Sequence, residues 1–211
     1  NWADENIPSI VQAWHLGTQS GYAISEVLYG DYNPSGKLTM SFPRSVGQMP
    51  LYYSRKSTGR PGADGEDQGS VFWSHYQDEK NSPLYPFGYG LSYTSFDYSQ
   101  ITLTDSKMSP DETINADITI TNTGKEKGKE VVQMYIHDRY ASATRPIREL
   151  KGFQIVELDP GESKTVTFKI DESLLKFYSG NNRWEAEPGD FDIYIGTNSD
   201  TKLKASFILN D

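Results

Sequence analysis

Apolar and polar residues alternate through the second half of the chain and do so only briefly in the first. In "TINADITITNTG", Ile114, Ala116, Ile118 and Ile120 occupy every second position, the period that places side chains on one face of a strand. "TVTFKI" repeats the device with Val166, Phe168 and Ile170, "FDIYIG" with Phe191, Ile193 and Ile195, and "KLKASFIL" with Leu203, Ala205, Phe207 and Leu209. "KEVVQMYIHD" and "RELKGFQIVEL" lie between them, and "NTGKEKG", "DPGES" and "EPGD" supply the turns. About six or seven short strands over roughly 110 residues predict an antiparallel β-sandwich from Phe96 onward.

The first half reads differently. "IVQAWHL" is a short apolar run suited to a buried strand, closed by Gly17. "SGYAISEVLYG" places Tyr22, Ile24, Val27 and Leu28 along one helical face, with Gly30 as its stop. After the turn cluster "DYNPSG", "KLTMSF" alternates as a strand does. This is an α/β unit too small to bury its own sheet, so sequence upstream is expected to complete it.

Between the two halves, Arg44 to Ser95 mixes polar loop residues with many aromatics, including Tyr52, Tyr53, Phe72, Trp73, Tyr76, Tyr85, Phe87, Tyr89 and Tyr93. A connection this long is uncommon in a compact chain. Its aromatics need burial, which argues for an ordered path. "PLYPFGYGLSYTSF" combines Pro83 and Pro86, which fix φ, with Gly88 and Gly90, which open conformations closed to other residues. Such a stretch reads as a clamp that turns the chain and locks the sandwich against the preceding layer.

Charge and composition narrow the partners. The 211 residues hold 29 acids against 20 Lys and Arg, for a net charge of -9. That balance repels phosphate, so neither nucleic acid nor an anionic membrane is expected as a partner. Cysteine is absent, which excludes disulfides and thiolate metal sites. No apolar run approaches the ~20 residues that span a bilayer. "NWADENIPSI" shows neither the basic nor the apolar region of a signal peptide.

Several small constellations have plainer explanations. "GTQSG" misses the hydrolase elbow by one position, so Ser20 is expected to open a helix. "GYGLSY" does not fit a phosphate-binding glycine loop. Asp64, Glu66 and Asp67 of "ADGED" could ligate calcium but lack the spacing of an EF-hand, and read as a solvated loop. His15, beside Trp14, is expected to be packed and hydrogen-bonded rather than a ligand.

The order of "YNPSGKLTMSFPRSVGQMPLYY", "STGRPG", "PLYPFGYGLSYTSF", "TNTGKEKGKEVVQMYI" and "RELKGFQIVELDPGESKTVTF" resembles the C-terminal part of glycoside hydrolase family 3. Within that family the likeness is greatest to the bacterial periplasmic β-glucosidases. The resemblance implies a barrel domain, then an α/β sandwich domain, then a fibronectin type III-like, immunoglobulin-like β-sandwich. Residues 1–45 would be the end of the α/β domain, 46–95 a long connector, and 96–211 the terminal sandwich. It also implies retaining exo-hydrolysis of non-reducing-end β-glucosyl, or xylosyl, residues from β-linked oligosaccharides, with no cofactor, and a periplasmic or secreted location. A homodimer is left open.

Retaining hydrolysis needs two carboxyl groups about 5–5.5 Å apart. In the family one is an aspartate of the barrel and the other a glutamate earlier in the α/β domain, and neither motif is present here. The chain alone is therefore expected to be inactive, with no catalytic residue and no metal ligand of its own. Tyr53, Arg55, Arg60, Tyr76 and Asp78 of the connector are the candidate substrate-binding residues, since aromatic faces and planar polar groups suit a sugar. The plainer expectation for these five is that they pin the connector to its neighbours. A different class of function, a stand-alone carbohydrate-binding or assembly sandwich, is the alternative.

Overall fold

A computed structural model describes residues 1–60 and 72–211. Asp64, Glu66 and Asp67 lie outside the described residues, as does the rest of 61–71.

The alternating segments become two facing sheets. One joins β4 (Thr113–Asn122) to β7 (Ser163–Asp171) along one edge, while β1 (Phe96–Tyr98) and β2 (Thr102–Leu103) share the other. Its register sets Ile114 beside Ile170, Ala116 beside Phe168 and Ile118 beside Val166, all buried. The second sheet runs β3 (Lys107–Met108), β11 (Lys204–Leu209), β10 (Gly189–Gly196), β5 (Gly128–Asp138) and β6 (Glu149–Leu158), in that spatial order. Here Met134 faces Ile195, Ile136 faces Ile193, and the stacked rings of Phe191 and Phe207 lie 5.3 Å apart. The inner faces interdigitate into one apolar core, as in other β-sandwiches. Short α3 (Glu172–Leu175) leads into a two-stranded hairpin of β8 (Phe177–Tyr178) and β9 (Trp184–Glu185).

Buried Asn122 seals one end of the core. Its carbonyl oxygen accepts from the Thr94 hydroxyl at 2.6 Å and from Gly124 N–H at 3.1 Å, while its amide donates to Glu126 O and Leu158 O. With its donors and acceptor all engaged, this polar side chain is tolerated where water is absent.

The first half contains α1 (Trp2–Asn6) and α2 (Ser20–Tyr29). Ser20 opens α2 as expected, and Gly30 closes it at φ 83°, its N–H bonding Val27 O. Residues 10–16 do not form the expected strand: Ile10, Val11, Trp14 and Leu16 are exposed. A strand needs a partner for its backbone groups, and no described residue offers one. His15 is likewise exposed rather than packed. "KLTMSF" forms no ladder with that run; it pairs with the connector instead. Leu38 N–H bonds Tyr89 O, Gly88 N–H bonds Leu38 O, and Phe42 bridges to Tyr85, each at 2.8 Å.

The connector is tied at several further points. Buried Gln48 accepts from Arg44 N–H at 2.6 Å and donates to Lys80 O at 2.7 Å, while Arg44 Nε bonds Ser82 O at 3.1 Å. Tyr85 stacks on Tyr89 at 5.1 Å and donates to Asp4 Oδ1, which together with burial pushes its hydroxyl pKa up to about 12. The expected clamp is thus an ordered path whose backbone bonds join residues 38–42 to 84–89.

Candidate functional site

The outer face of β5 is where the connector meets the sandwich. Tyr53 stacks on Phe87 at 4.2 Å and meets Tyr135 in a T-shaped contact at 6.0 Å. Its hydroxyl oxygen also accepts from Leu150 N–H at 3.4 Å. Beneath them, buried Gln133 donates to Gly88 O at 3.1 Å and Thr197 O at 2.6 Å, and its own oxygen accepts from the Tyr135 hydroxyl. Burial first, and the neighbouring Tyr53, hold the Tyr135 hydroxyl above its ordinary pKa. Gly88 has φ 79°, and any Cβ there would overlap the Gln133 amide. Only glycine combines that left-handed backbone with so close an approach. Next to this contact Ser199 N–H bonds Phe87 O at 2.9 Å, and Arg148 lies 3.4 Å over the Tyr194 ring while donating to Ser199 O and Thr201 O.

A second tie runs from the N-terminal half into the end of the sandwich. Lys37 Nζ approaches Glu130 Oε2 at 3.1 Å and donates to Gly90 O at 2.9 Å. The Glu130 carboxylate also accepts from the Tyr98 hydroxyl at 2.8 Å; burial first, then the Glu130 charge and this bond, raise the Tyr98 pKa strongly. The side chains of Lys37 and Glu130 are only 11% and 2% exposed, so each charge depends on the other for compensation. Nearby, Asn33 donates to Lys127 O and accepts from Ser92 Oγ and Tyr93 N–H, so the "NPSGK" turn grips both the connector and the loop before β5.

Of the five candidate residues, Tyr53 lies in the β5 contact. Arg55 leaves its side chain exposed while its carbonyl accepts from Ile147 N–H at 2.9 Å. Arg60 sits 5.8 Å over Phe72, and its carbonyl accepts from Ser74 N–H. Tyr76 and Asp78 are exposed on the turn that Asn81 holds through Tyr76 N–H and Ser74 O. Tyr53 is thus set against the sandwich while Tyr76 and Asp78 belong to a separate turn. The residues that join the halves most tightly, Lys37, Glu130, Gln133 and Asn33, were not among the candidates. The signal available for two of them was a Glu and a Gln inside the apolar run "KEVVQMYI", where burial demands a partner.

One cavity bears carboxyl groups, lined by Asp138, Arg145, Glu149, Lys151 and Phe191 among others. Its volume of about 10 Å³ has room for one water molecule and none for a sugar ring. Burial pushes the Asp138 carboxyl up to about 6 against the opposing pull of Arg145, whose Nε lies 3.8 Å from Oδ2. Among the described residues, the buried Lys37–Glu130 pair, the Tyr53, Phe87 and Tyr135 rings, and the hydrogen bonds of Asn33 and Gln133 hold the two halves together.

Two family models match the chain: the glycosyl hydrolase family 3 C-terminal domain over residues 1–93 and the fibronectin type III-like domain over residues 130–199. A periplasmic beta-glucosidase of Salmonella typhimurium is 50% identical over 206 residues, covering 98% of this chain and 27% of that protein. The chain is a C-terminal part of glycoside hydrolase family 3. Another relative, a beta-xylosidase of Formosa agariphila, is 44% identical over 94% of this chain and 26% of its own length. The family 3 likeness extends to three dimensions: a beta-glucosidase from Listeria innocua solved in complex with glucose superposes with a TM-score of 0.89 at 40% identity, covering 95% of this chain and 28% of that one. This family 3 chain spans about a quarter of the length of the relatives it matches.

Proposed function

We propose that this chain is the C-terminal scaffold of a retaining β-glucosidase that removes non-reducing-end β-glucosyl residues. Both catalytic carboxyl groups come from upstream barrel and α/β domains. Residues 1–45 complete the α/β domain, 46–95 connect, and 96–211 form the sandwich that holds the assembly in place. The observation that carries this reading is an imbalance. Trp2, Ile10, Val11, Trp14, Tyr22 and Leu28 are exposed in the first thirty residues, yet the segment directly after them is fastened to a finished sandwich by Lys37 and Asn33. An apolar layer left open on one side and rigidly anchored on the other suits burial against an upstream domain.

On this reading Tyr53 and the exposed side chains of Arg55, Arg60, Tyr76 and Asp78 border the sugar site of their own subunit or of a second copy. A periplasmic or secreted location accompanies it, supported by the name of the Salmonella relative.

Complementation tests the proposal. The chain and its upstream portion are expressed separately, then mixed, and release of p-nitrophenol from the β-glucoside is followed. Neither piece is expected to act alone, and the mixture is expected to recover activity. Hydrolysis by the chain alone would overturn the scaffold assignment.

A further inference from the structure

We propose that the β8–β9 hairpin is a glucan-binding platform, a second sugar contact that rests on the β-glucosidase reading above. Tyr178 and Trp184 are directly paired across the two strands, which places their side chains on one face of the hairpin. They are 63% and 67% exposed, and Tyr140, on the loop bonded to this hairpin, is 79% exposed. Large rings on so short an element serve no core of this chain, and unlike the open layer of the first thirty residues they stand on a hairpin closed by its own bonds.

The hairpin beneath them is built to stay still. Phe177 is buried, with Arg145 stacked 4.3 Å over its ring. Ser179 N–H bonds Arg183 O at 2.8 Å, the Ser179 hydroxyl donates to Glu185 Oε1, and Asn182 N–H closes the turn onto Ser179 O at 3.1 Å. Ser142 Oγ accepts from Gly180 N–H at 2.8 Å and the same hydroxyl donates to Glu187, fixing the Tyr140 loop alongside. These bonds, made within the hairpin and to its neighbour loop, hold the exposed rings in place. That preorganisation removes the ordering cost of binding.

The composition of the surface selects the ligand class. Asn181, Asn182 and Arg183 form the tip beside the rings and are exposed, offering amide and guanidinium donors between apolar faces. A protein partner would need about 800 Å² of fitted surface on each side, and three rings of about 150–250 Å² each, only partly exposed and interrupted by polar groups, fall short of that. Successive pyranose rings of a β-linked glucan present C–H faces flanked by hydroxyls, the same alternation in complementary form. The platform would hold the polymer while its chain end is cut elsewhere.

The experiment uses the natural full-length protein, with retardation in gels containing soluble β-glucan as the binding readout and p-nitrophenyl β-glucoside hydrolysis as the independent one. Tyr178→Ala and Trp184→Ala are each expected to weaken glucan affinity roughly tenfold, and the double variant to abolish retardation, with hydrolysis of the small substrate unchanged. Trp184→Phe, which keeps a ring, is expected to restore most of the binding, separating lost stacking from a misfolded hairpin. Retardation equal to wild type in the double variant, or none in the wild type, overturns the platform. Failure of the wild type to hydrolyse the aryl glucoside would instead overturn the β-glucosidase reading.

Discussion

Lys37 and Glu130, ninety-three positions apart in the chain, meet at 3.1 Å with Gly90 O and the Tyr98 hydroxyl completing their partners. The pair is buried, so its worth lies less in net attraction than in the penalty for losing one member. Lys37→Met is expected to destabilise the chain by about 3–5 kcal/mol, because Glu130 would stay buried and uncompensated. Chemical denaturation should show this as a lower midpoint, and adding Glu130→Gln should recover part of the loss. A single-variant midpoint equal to wild type would mean that the pair is solvated.

Phe87→Ala removes the ring on which Tyr53 stacks. A loss of roughly 2–4 kcal/mol is expected, below the value for a fully buried ring because Phe87 is half-buried. Limited proteolysis should then cut within residues 46–95 sooner, while the sandwich core resists.

Gly88→Ala should be worse than its size suggests. The new methyl would overlap the Gln133 amide and force a side chain into φ 79°, each effect costing on the order of 1–3 kcal/mol. Gly161 offers the control: its φ is 78° but nothing lies within 4 Å of an added Cβ, so Gly161→Ala carries only the backbone cost. Equal unfolding midpoints for the two variants would show that the Gln133 contact yields freely.

Two aspartates should give stability opposite slopes with pH. For Asp192, burial alone would raise the pKa, but hydrogen bonds from Arg139 and Ser206 and the charges of Arg139 and Lys204 outweigh it and hold the carboxyl at about 2. Its stabilisation is present above the ordinary 3.8 and disappears as pH falls through about 2. Asp138 is the reverse. Its carboxyl is pushed up to about 6 by burial, with Glu187 and Glu149 adding to the rise and Arg145 opposing it. The stability it lends is full below 3.8 and is lost as pH rises through about 6. Thermal melts from pH 2 to 7 should therefore show Asp138→Asn removing a decline between about 4 and 6, and Asp192→Asn closing its gap to wild type at the acid end.

The sandwich was legible because its strands are half-buried. Ile114 through Ile120 and Val166 through Ile170 alternate, and each apolar member became core. The α2 helix was legible for a different reason: none of its residues is buried, but its spacing is helical and its end is marked by a glycine that takes the left-handed backbone. "IVQAWHL" failed as a strand because apolar content alone does not supply a hydrogen-bonding neighbour. The joining residues were harder still. Lys37 and Glu130 become a pair only through the fold, and nothing in their separate neighbourhoods names the other. Tyr53 was marked by its aromatic setting, but which ring it would stack on depended on the path of the connector.

The bonds between residues 38–42 and 84–89 run mainly from main chain to main chain, through Leu38, Phe42, Leu84, Tyr85, Gly88 and Tyr89. Such bonds are indifferent to the identity of the side chains that flank them. Gly88 apart, this stretch of the connector is therefore routed by its backbone, which leaves its outward side chains open to change. A surface so mounted can be recoloured residue by residue, for a different sugar or a different neighbour, without redrawing the path beneath it.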